Sequence, residues 1–147
     1  PKLPQSYFAA FQYALSNAFL YRDVILCWCG TVPQPDLIAE LADFFIRFDQ
    51  VDWAICFGVF ENLLKISARV DHIGGRCGDV LRDVVNGLGT AGGHDRRAGG
   101  TIPLADTHPE TLDSLRRTLR QRILSTLDID EQQGRRLLEA CPTVPTP

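Results

Sequence analysis

The stretch from residue 90 to 100 constrains this chain most, because it gathers four glycines, one histidine and two arginines within eleven residues. Glycine tolerates positive φ and lets a backbone approach a ligand closely. Successive backbone N–H groups in a glycine-rich turn can bind an anion, and a histidine beside them can donate to a phosphate oxygen. The stretch therefore predicts a loop that binds a phosphate or a carboxylate. A tight surface turn with a solvated histidine is the competing interpretation.

Hydrophobic periodicity predicts an α/β fold, with a mixed β-sheet and helices packed on it, in the order αβαββαβα(α). We expect helices over 5–20, 36–48, 78–86, from 107 onward and over 130–140. We expect strands over 23–29, 51–60, 63–70 and 101–104. The glycine-rich stretch then joins a helix to a strand, and such connections often carry function on a rigid scaffold.

Residues 63–70 alternate between apolar and polar side chains. Because successive strand residues point to opposite faces of a sheet, Lys65, Ser67 and Arg69 share one face. This face thus offers a hydroxyl group and two cations to a ligand. A solvated sheet face is the alternative, and a ligand contact from Lys65 is left open.

Two motifs together resemble the DHH-associated domain, the C-terminal domain of the DHH family of phosphoesterases, which includes oligoribonuclease-like and exopolyphosphatase-like proteins. Its glycine–histidine signature is similar to Gly92-Gly93-His94 with Ala98 and Gly99. The serine-x-arginine strand that precedes this signature resembles 67–69. The order and spacing of the motifs also match, and the resemblance covers most of residues 5–105. The chain departs from the pattern at Ala91, where many members have glycine, and at Arg97, where many have a small residue.

The resemblance implies the substrate-binding half of a phosphoesterase that acts on short oligonucleotides, phosphonucleotides or polyphosphate. In the family, a manganese-binding catalytic site lies in an N-terminal DHH domain, and this sequence has no carboxylate–histidine cluster of that kind. We therefore expect no catalytic residue and no metal ligand here, and no activity from this chain alone. The expected partners are a DHH catalytic domain in cis and a short oligonucleotide or phosphonucleotide. Homodimerisation is left open. The substrate-binding residues that the resemblance implies are Ser67, Arg69, Gly92, Gly93, His94, Arg97, Ala98 and Gly99.

The charge pattern agrees with a small anionic ligand. The chain carries a formal net charge of −3, but the segment 65–97 holds six basic and four acidic side chains, so it is locally positive. A local positive field attracts an anion, whereas a long duplex requires a broad basic face. The length of 147 residues suits one domain, which we place at 1–141, followed by a disordered tail over 142–147. No apolar run is long enough to span a bilayer, so we expect no membrane contact and a cytoplasmic location.

Two other functions are open on the sequence. A free-standing nucleic-acid-binding module is the first, since the same domain type is attached to an aminoacyl-tRNA synthetase as an RNA contact. It would use the basic cluster over 116–122, whose default interpretation is a charged outer helix face. A structural or oligomerising domain is the second, and it treats the glycine-rich stretch as a turn without a ligand.

The five cysteines match no zinc-binding spacing and are odd in number. We interpret them as small buried hydrophobic residues. They are Cys27, Cys29, Cys56, Cys77 and Cys141.

Overall fold

The computed structural model describes residues 1–138 and confirms the α/β fold. Within this range the helices are α1 (Gln5–Ser16), α2 (Asp36–Phe45), α3 (Cys77–Val85) and α4 (Pro109–Thr126). The strands are β1 (Ala18–Tyr21), β2 (Val24–Thr31), β3 (Trp53–Phe60), β4 (Leu63–Val70), β5 (Thr90–Gly93), β6 (Arg97–Pro103) and β7 (Arg135–Arg136). No helix in the described range is long and apolar enough to cross a membrane.

The seven strands form one mixed sheet in the order β5-β6-β4-β3-β2-β1-β7. Only the pair β2–β3 is parallel among these, because α2 returns the chain to the same end of the sheet. The outer pairs β4–β6 and β5–β6 are antiparallel. A two-residue turn with Glu61 at positive φ joins β3 to β4.

Helices cover both faces of the central strands. We call the side on which α1 and α2 lie the α2 face, where the core includes Ile25, Ala54 and Leu41. We call the opposite side the α3 face, where α3 and α4 pack on residues such as Ile55 and Ile66. Full burial of one such aliphatic side chain stabilises the fold by about 1.5–3 kcal/mol. The alternation predicted for β4 is confirmed, since Leu64, Ile66 and Ala68 all belong to the core of the α3 face.

The N-terminal helix is shorter than predicted. It ends at Ser16 rather than residue 20, because Asn17 leaves the helical region with φ −125° and ψ 31°. The next residues form β1, which pairs antiparallel with β2 through a tight turn at Arg22. The hydrophobic periodicity of the first two helices would place Phe8 and Phe44 in the core, but these side chains are 64% and 47% exposed. Buried residues of the same helices are equally apolar and fit the same period, so periodicity alone could not distinguish the exposed residues from the buried ones.

Two further segments differ from the sequence prediction. The glycine-rich stretch is a β-hairpin of β5 and β6 rather than an open loop. The helix expected over 130–140 is absent from its described part, where β7 instead adds to the sheet edge beside β1. The helix expected from 107 onward begins at Pro109, with His108 as its N-cap. Residues 139–147, which hold the predicted tail and Cys141, lie outside the described range.

Candidate functional site

The turn of the β5–β6 hairpin is fixed to the start of α3 by backbone hydrogen bonds. The N–H groups of Cys77 and Gly78 donate to the carbonyl oxygens of Asp95 and His94, each over 2.9 Å. These are among the first N–H groups of a helix, which have no partner within the helix itself. The hairpin therefore satisfies the helix terminus, and the helix holds the hairpin turn in place.

The Asp95 side chain adds a second anchor. Its carboxylate accepts from the N–H groups of Gly74, at 2.7 Å, and Arg76, at 2.9 Å. These two donors lower the pKa of Asp95 below its usual value, with smaller contributions from His72 and Arg96. The loop before α3 and the hairpin turn are thus joined through one charged group.

This geometry changes the expected role of the Gly92-Gly93-His94 backbone. The His94 N–H donates to the Arg97 carbonyl oxygen over 2.8 Å, so that group is already used within the hairpin. Since hydrogen-bonded and non-bonded pairs alternate in antiparallel strands, the Gly92 N–H faces β6 and the Gly93 N–H faces the free edge of the sheet. Three adjacent N–H groups converging on one anion, as a nest would require, are not formed here.

The strand register instead brings the predicted side chains together on the α2 face. Arg69 lies opposite Arg97, and Ser67 lies opposite Gly99, which in turn lies opposite Gly92. Directly opposed residues place their side chains on the same face of a sheet. We call this surface the open sheet face; it consists of Lys65, Ser67, Arg69, Thr90, Gly92, Arg97, Gly99 and Thr101.

The centre of the open sheet face is bare backbone. A Cβ atom built on Gly92 would meet no atom within 4 Å, and one built on Gly99 would meet only the Ile66 carbonyl oxygen at 3.6 Å. Both glycines are exposed, as is the Arg97 side chain beside them. The two helices of this side pack on the central strands, with α2 lying over β3 and β4. A flat surface is therefore left free, bordered by cations.

Arg69 is the one buried charged residue among those described, with 7% of its surface exposed. Its Nε donates to Asp43 Oδ1 over 2.6 Å, and its Nη1 donates to the Ala68 carbonyl oxygen over 2.9 Å. Asp43 lies on α2 and is about half exposed. The sequence analysis did not identify it, since nothing in an exposed helical aspartate indicates a strand arginine 26 residues away. Nη2 takes part in neither contact.

Lys65 completes the cationic border, and its Nζ donates to Thr101 Oγ1 over 3.2 Å. The sequence analysis did not identify Thr101, because its place opposite Lys65 depends on the pairing register of β4 and β6.

Two of the predicted residues lie on the other side of the sheet. Ala98 is only 6% exposed and belongs to the core of the α3 face. Gly93 packs against Gly78, so close that a Cβ on Gly78 would lie 2.7 Å from the Gly93 carbonyl oxygen. These two positions support the hairpin and do not reach the open sheet face. His94 is exposed in the hairpin turn.

A second charged site borders the hairpin turn. A shallow pocket of about 270 Å³ is lined by residues of the turn and of α3, among them Gly93 and His94. Asp79 bridges two arginines there, at 2.9 Å from Arg76 and 2.8 Å from Arg82. Hydrogen bonds from Arg82 and Arg76 lower the pKa of Asp79. The spacing of three residues between these charges is a signal for one helix face that the sequence analysis did not use.

The basic cluster of α4 is partly engaged in packing. Arg122 donates to the carbonyl oxygens of Val84 and Asn86, over 3.0 and 2.8 Å. Arg116 lies over the Trp28 ring with 4.9 Å between guanidinium carbon and ring centroid. These contacts tie α4 to the rest of the domain, so Arg116 and Arg122 are not simply part of a charged outer helix face.

The described residues do not fit a two-manganese centre. Hard divalent cations take carboxylate and other oxygen ligands, with histidine in catalytic pairs. Across residues 1–138, the group of metal-ligating side chains that comes together consists of three cysteines, Cys27, Cys29 and Cys56.

No family model matches the chain. An uncharacterized protein of Methanocaldococcus jannaschii, MJ1633, is 27% identical over 129 residues, which cover 81% of this chain and 26% of that protein. The chain therefore spans about a quarter of the length of the curated relative it matches.

Solved structures share the fold at low sequence identity. An exopolyphosphatase-related protein from Bacteroides fragilis has a TM-score of 0.59 at 17% identity, over 86% of this chain and 37% of that one. RecJ from Thermus thermophilus, solved with Mn²⁺, has a TM-score of 0.58 at 16% identity, over 86% of this chain and 17% of RecJ. The C-Ala domain of alanyl-tRNA synthetase from Aquifex aeolicus has a TM-score of 0.51 at 21% identity, over 69% and 96%. The fold implied by the resemblance to the DHH-associated domain is thereby confirmed.

Proposed function

We propose that this chain is the substrate-binding domain of a DHH-family phosphoesterase and that its open sheet face binds a short phosphorylated oligonucleotide, a phosphonucleotide or polyphosphate. One observation carries the proposal: the register of β4, β6 and β5 places Ser67, Arg69 and Arg97 around exposed glycine backbone. A planar or extended ligand can approach such a surface closely because no side chain covers it.

The charges of this face suit a phosphate. Arg97 is exposed and carries a fork of N–H donors that matches phosphate oxygens. Its register partner Arg69 is largely buried, and the Arg69 Nη2 takes part in neither of the hydrogen bonds that Nε and Nη1 donate. The Ser67 hydroxyl can donate one further hydrogen bond. His94, in the exposed turn at the end of the hairpin, would reach toward a phosphate held between this domain and a second one.

A catalytic domain in cis would supply the chemistry. The match covers 26% of the length of the curated relative, 37% of the exopolyphosphatase-related protein and 17% of RecJ. The rest of each of these proteins has room for such a domain. Manganese or another divalent metal belongs to that domain in our proposal. RecJ is solved with Mn²⁺ and with Mg²⁺, which makes a divalent metal plausible in the parent enzyme. This chain would bind and orient the substrate without a metal ligand of the catalytic centre.

Titration of the full chain with 5′-phosphorylated diadenylate, followed by amide chemical shifts, tests the proposal. We expect binding of about millimolar strength for half of a site, with shifts at 65–69, 92–94 and 97–101. Gly99→Val should abolish these shifts, since its side chain would stand on the bare backbone while its Cβ meets only ordinary contacts. Ser114→Val, on exposed α4, is the matched control. Unchanged binding by folded Gly99→Val would contradict the proposal.

A nucleic-acid-binding module without catalysis is the second candidate. It is favoured by the likeness to the C-Ala domain, because the match spans 96% of that separate domain of a tRNA synthetase. This candidate predicts tighter binding of longer single-stranded RNA, with a steep loss of affinity as salt rises. It also predicts shifts at exposed Arg117 on α4 rather than on the open sheet face.

A further inference from the structure

Three cysteine thiols converge on the α2 face, beneath α1. Cys27 and Cys29 lie two residues apart on β2, and Cys56 is the register partner of Cys27 on the parallel strand β3. All three Sγ atoms lie within 4.8 Å of one another, and those of Cys27 and Cys29 are 3.8 Å apart. The residues are 0%, 3% and 0% exposed, in the order of their numbers. The spacing along the chain gave no sign of this cluster, because the third thiol arrives through strand pairing.

These separations match those of sulfur ligands around one metal ion. With metal–sulfur bonds of about 2.3 Å, the sulfur atoms of a tetrahedral or trigonal site lie about 3.8–4.0 Å apart. Each sulfur therefore needs to move by less than about 1 Å to share a cation, a shift that small side-chain rotations provide. The strands that carry the thiols lie in the centre of the sheet and hold this arrangement rigidly.

We propose that Cys27, Cys29 and Cys56 form a metal site for one thiophilic d¹⁰ cation, with three-coordinate cuprous copper as the preferred occupant. Thiolates select Cu(I) and zinc over hard cations. Structural zinc sites take four protein ligands, whereas the described residues bring three thiols together and no fourth histidine, thiol or carboxylate within the same reach. A three-sulfur environment therefore favours copper.

Binding exchanges protons for the cation and involves no redox step. Each thiol that ligates the ion loses its proton to solvent as its sulfur–metal bond forms.

The structure also offers a route of entry. Cys29 lines a surface pocket of about 500 Å³ between α1 and the segment after β2. The helix side of this pocket includes the small side chains of Ser6, Ala9 and Ala10. A cation would thus reach Cys29 first and the two fully buried thiols afterwards.

Anaerobic titration with Cu(I), buffered by a competing chelator, tests the site. We would use the full chain with Cys141→Ser, so that the remaining thiols are the three proposed ligands and Cys77. We expect uptake of one equivalent, and X-ray absorption should show three sulfur neighbours. Removal of one ligand should weaken Cu(I) binding by at least about 100-fold. Mutation of a residue that only hydrogen-bonds to a metal ligand already lowers metal affinity or activity by about 10- to 100-fold.

The variants Cys29→Ala and Cys56→Ala test the ligands, with amide spectra to verify that each folds. Cys77→Ala is the matched control, since its thiol is also fully buried but belongs to the core of the α3 face. Full uptake by the control and loss in the two ligand variants would support the site. Absence of uptake in the parent chain, or equal affinity in folded Cys29→Ala, would overturn it. If Cys56→Ala fails to fold, Cys29→Ala decides the question alone.

Discussion

The two sides of the β5–β6 hairpin are built from adjacent residues of one glycine-rich stretch, yet their environments are opposite. On the α3 face, Ala98 is buried and Gly93 is pressed against Gly78. On the open sheet face, Gly92 and Gly99 have space above them. One side is packed and the other is available to a ligand.

This contrast separates two reasons for a glycine. On the packed side, a side chain is excluded by neighbouring protein, so glycine serves the fold. On the open side, a side chain would fit within the domain, so any requirement for glycine must come from something outside it. Position in the strand, odd or even, decides which reason applies.

The strongest test of this contrast places the same methyl group on each side of the hairpin, at Gly93 on the packed side and at Gly92 on the open side. Gly93→Ala should lower the free energy of unfolding by about 1–3 kcal/mol, because its Cβ would overlap the Arg97 carbonyl oxygen and Ala98. Gly92→Ala should instead leave stability unchanged or raise it by up to about 1 kcal/mol, since alanine restricts the unfolded chain more than glycine. Chemical denaturation measures both.

The adjacent variant is the control here, as the two changes are identical and one residue apart. Equal destabilisation by both would show that the open sheet face is covered in solution.

The next prediction concerns charge on the open side. Arg97→Ala should weaken binding of 5′-phosphorylated diadenylate by about tenfold, because a hydrogen bond to a charged group contributes about 1.5–3 kcal/mol and this one is exposed. Isothermal titration or amide shifts would measure the change. Arg117→Ala removes the same exposed charge from α4 and should leave affinity within about twofold. The reverse order of effects would favour the nucleic-acid module.

The sequence predicted the central elements well and the edges of the sheet poorly. β2, β3 and β4 are continuous apolar or alternating runs, so burial imposes their pattern directly on the residues. β5 is a short strand of small and polar residues, and β7 has two arginines. Such strands form because they pair with a neighbouring strand, and the residues of the short strand alone do not reveal that partner.

The same limit applies to the site. The face shared by Ser67 and Arg69 followed from alternation along one strand and is confirmed by the register. The contact between Arg69 and Asp43 joins a strand and a helix that are distant in sequence, and no periodicity indicates it. The roles of both residues toward a ligand remain predictions.

Asp43 provides a smaller test of the open side. Its carboxylate takes a donor of Arg69 that a phosphate would otherwise use, and it repels an anion. We expect Asp43→Asn to strengthen binding of the phosphorylated diadenylate by about threefold, a change typical of one partly exposed charge. Glu40→Gln removes an equal charge from an exposed position of the same helix and is the control. Weaker binding by Asp43→Asn would show that the ion pair positions Arg69 for the ligand.

The prediction with the smallest expected effect concerns the Asp95 carboxylate, which anchors the hairpin turn to the loop before α3. Because N–H donors of Gly74 and Arg76 lower the pKa of Asp95 in the folded state, its carboxylate stabilises the fold above its unfolded pKa of about 3.9. This stabilisation is lost as pH falls through the lower, folded pKa. Asp95→Asn should therefore lower the Tm at neutral pH, and the difference from wild type should shrink in acid. Asp83→Asn, an exposed change on α3, should shift the Tm by less. If the Tm difference between wild type and Asp95→Asn persists unchanged in acid, the backbone carbonyl groups of the turn, and not the Asp95 charge, hold the turn in place.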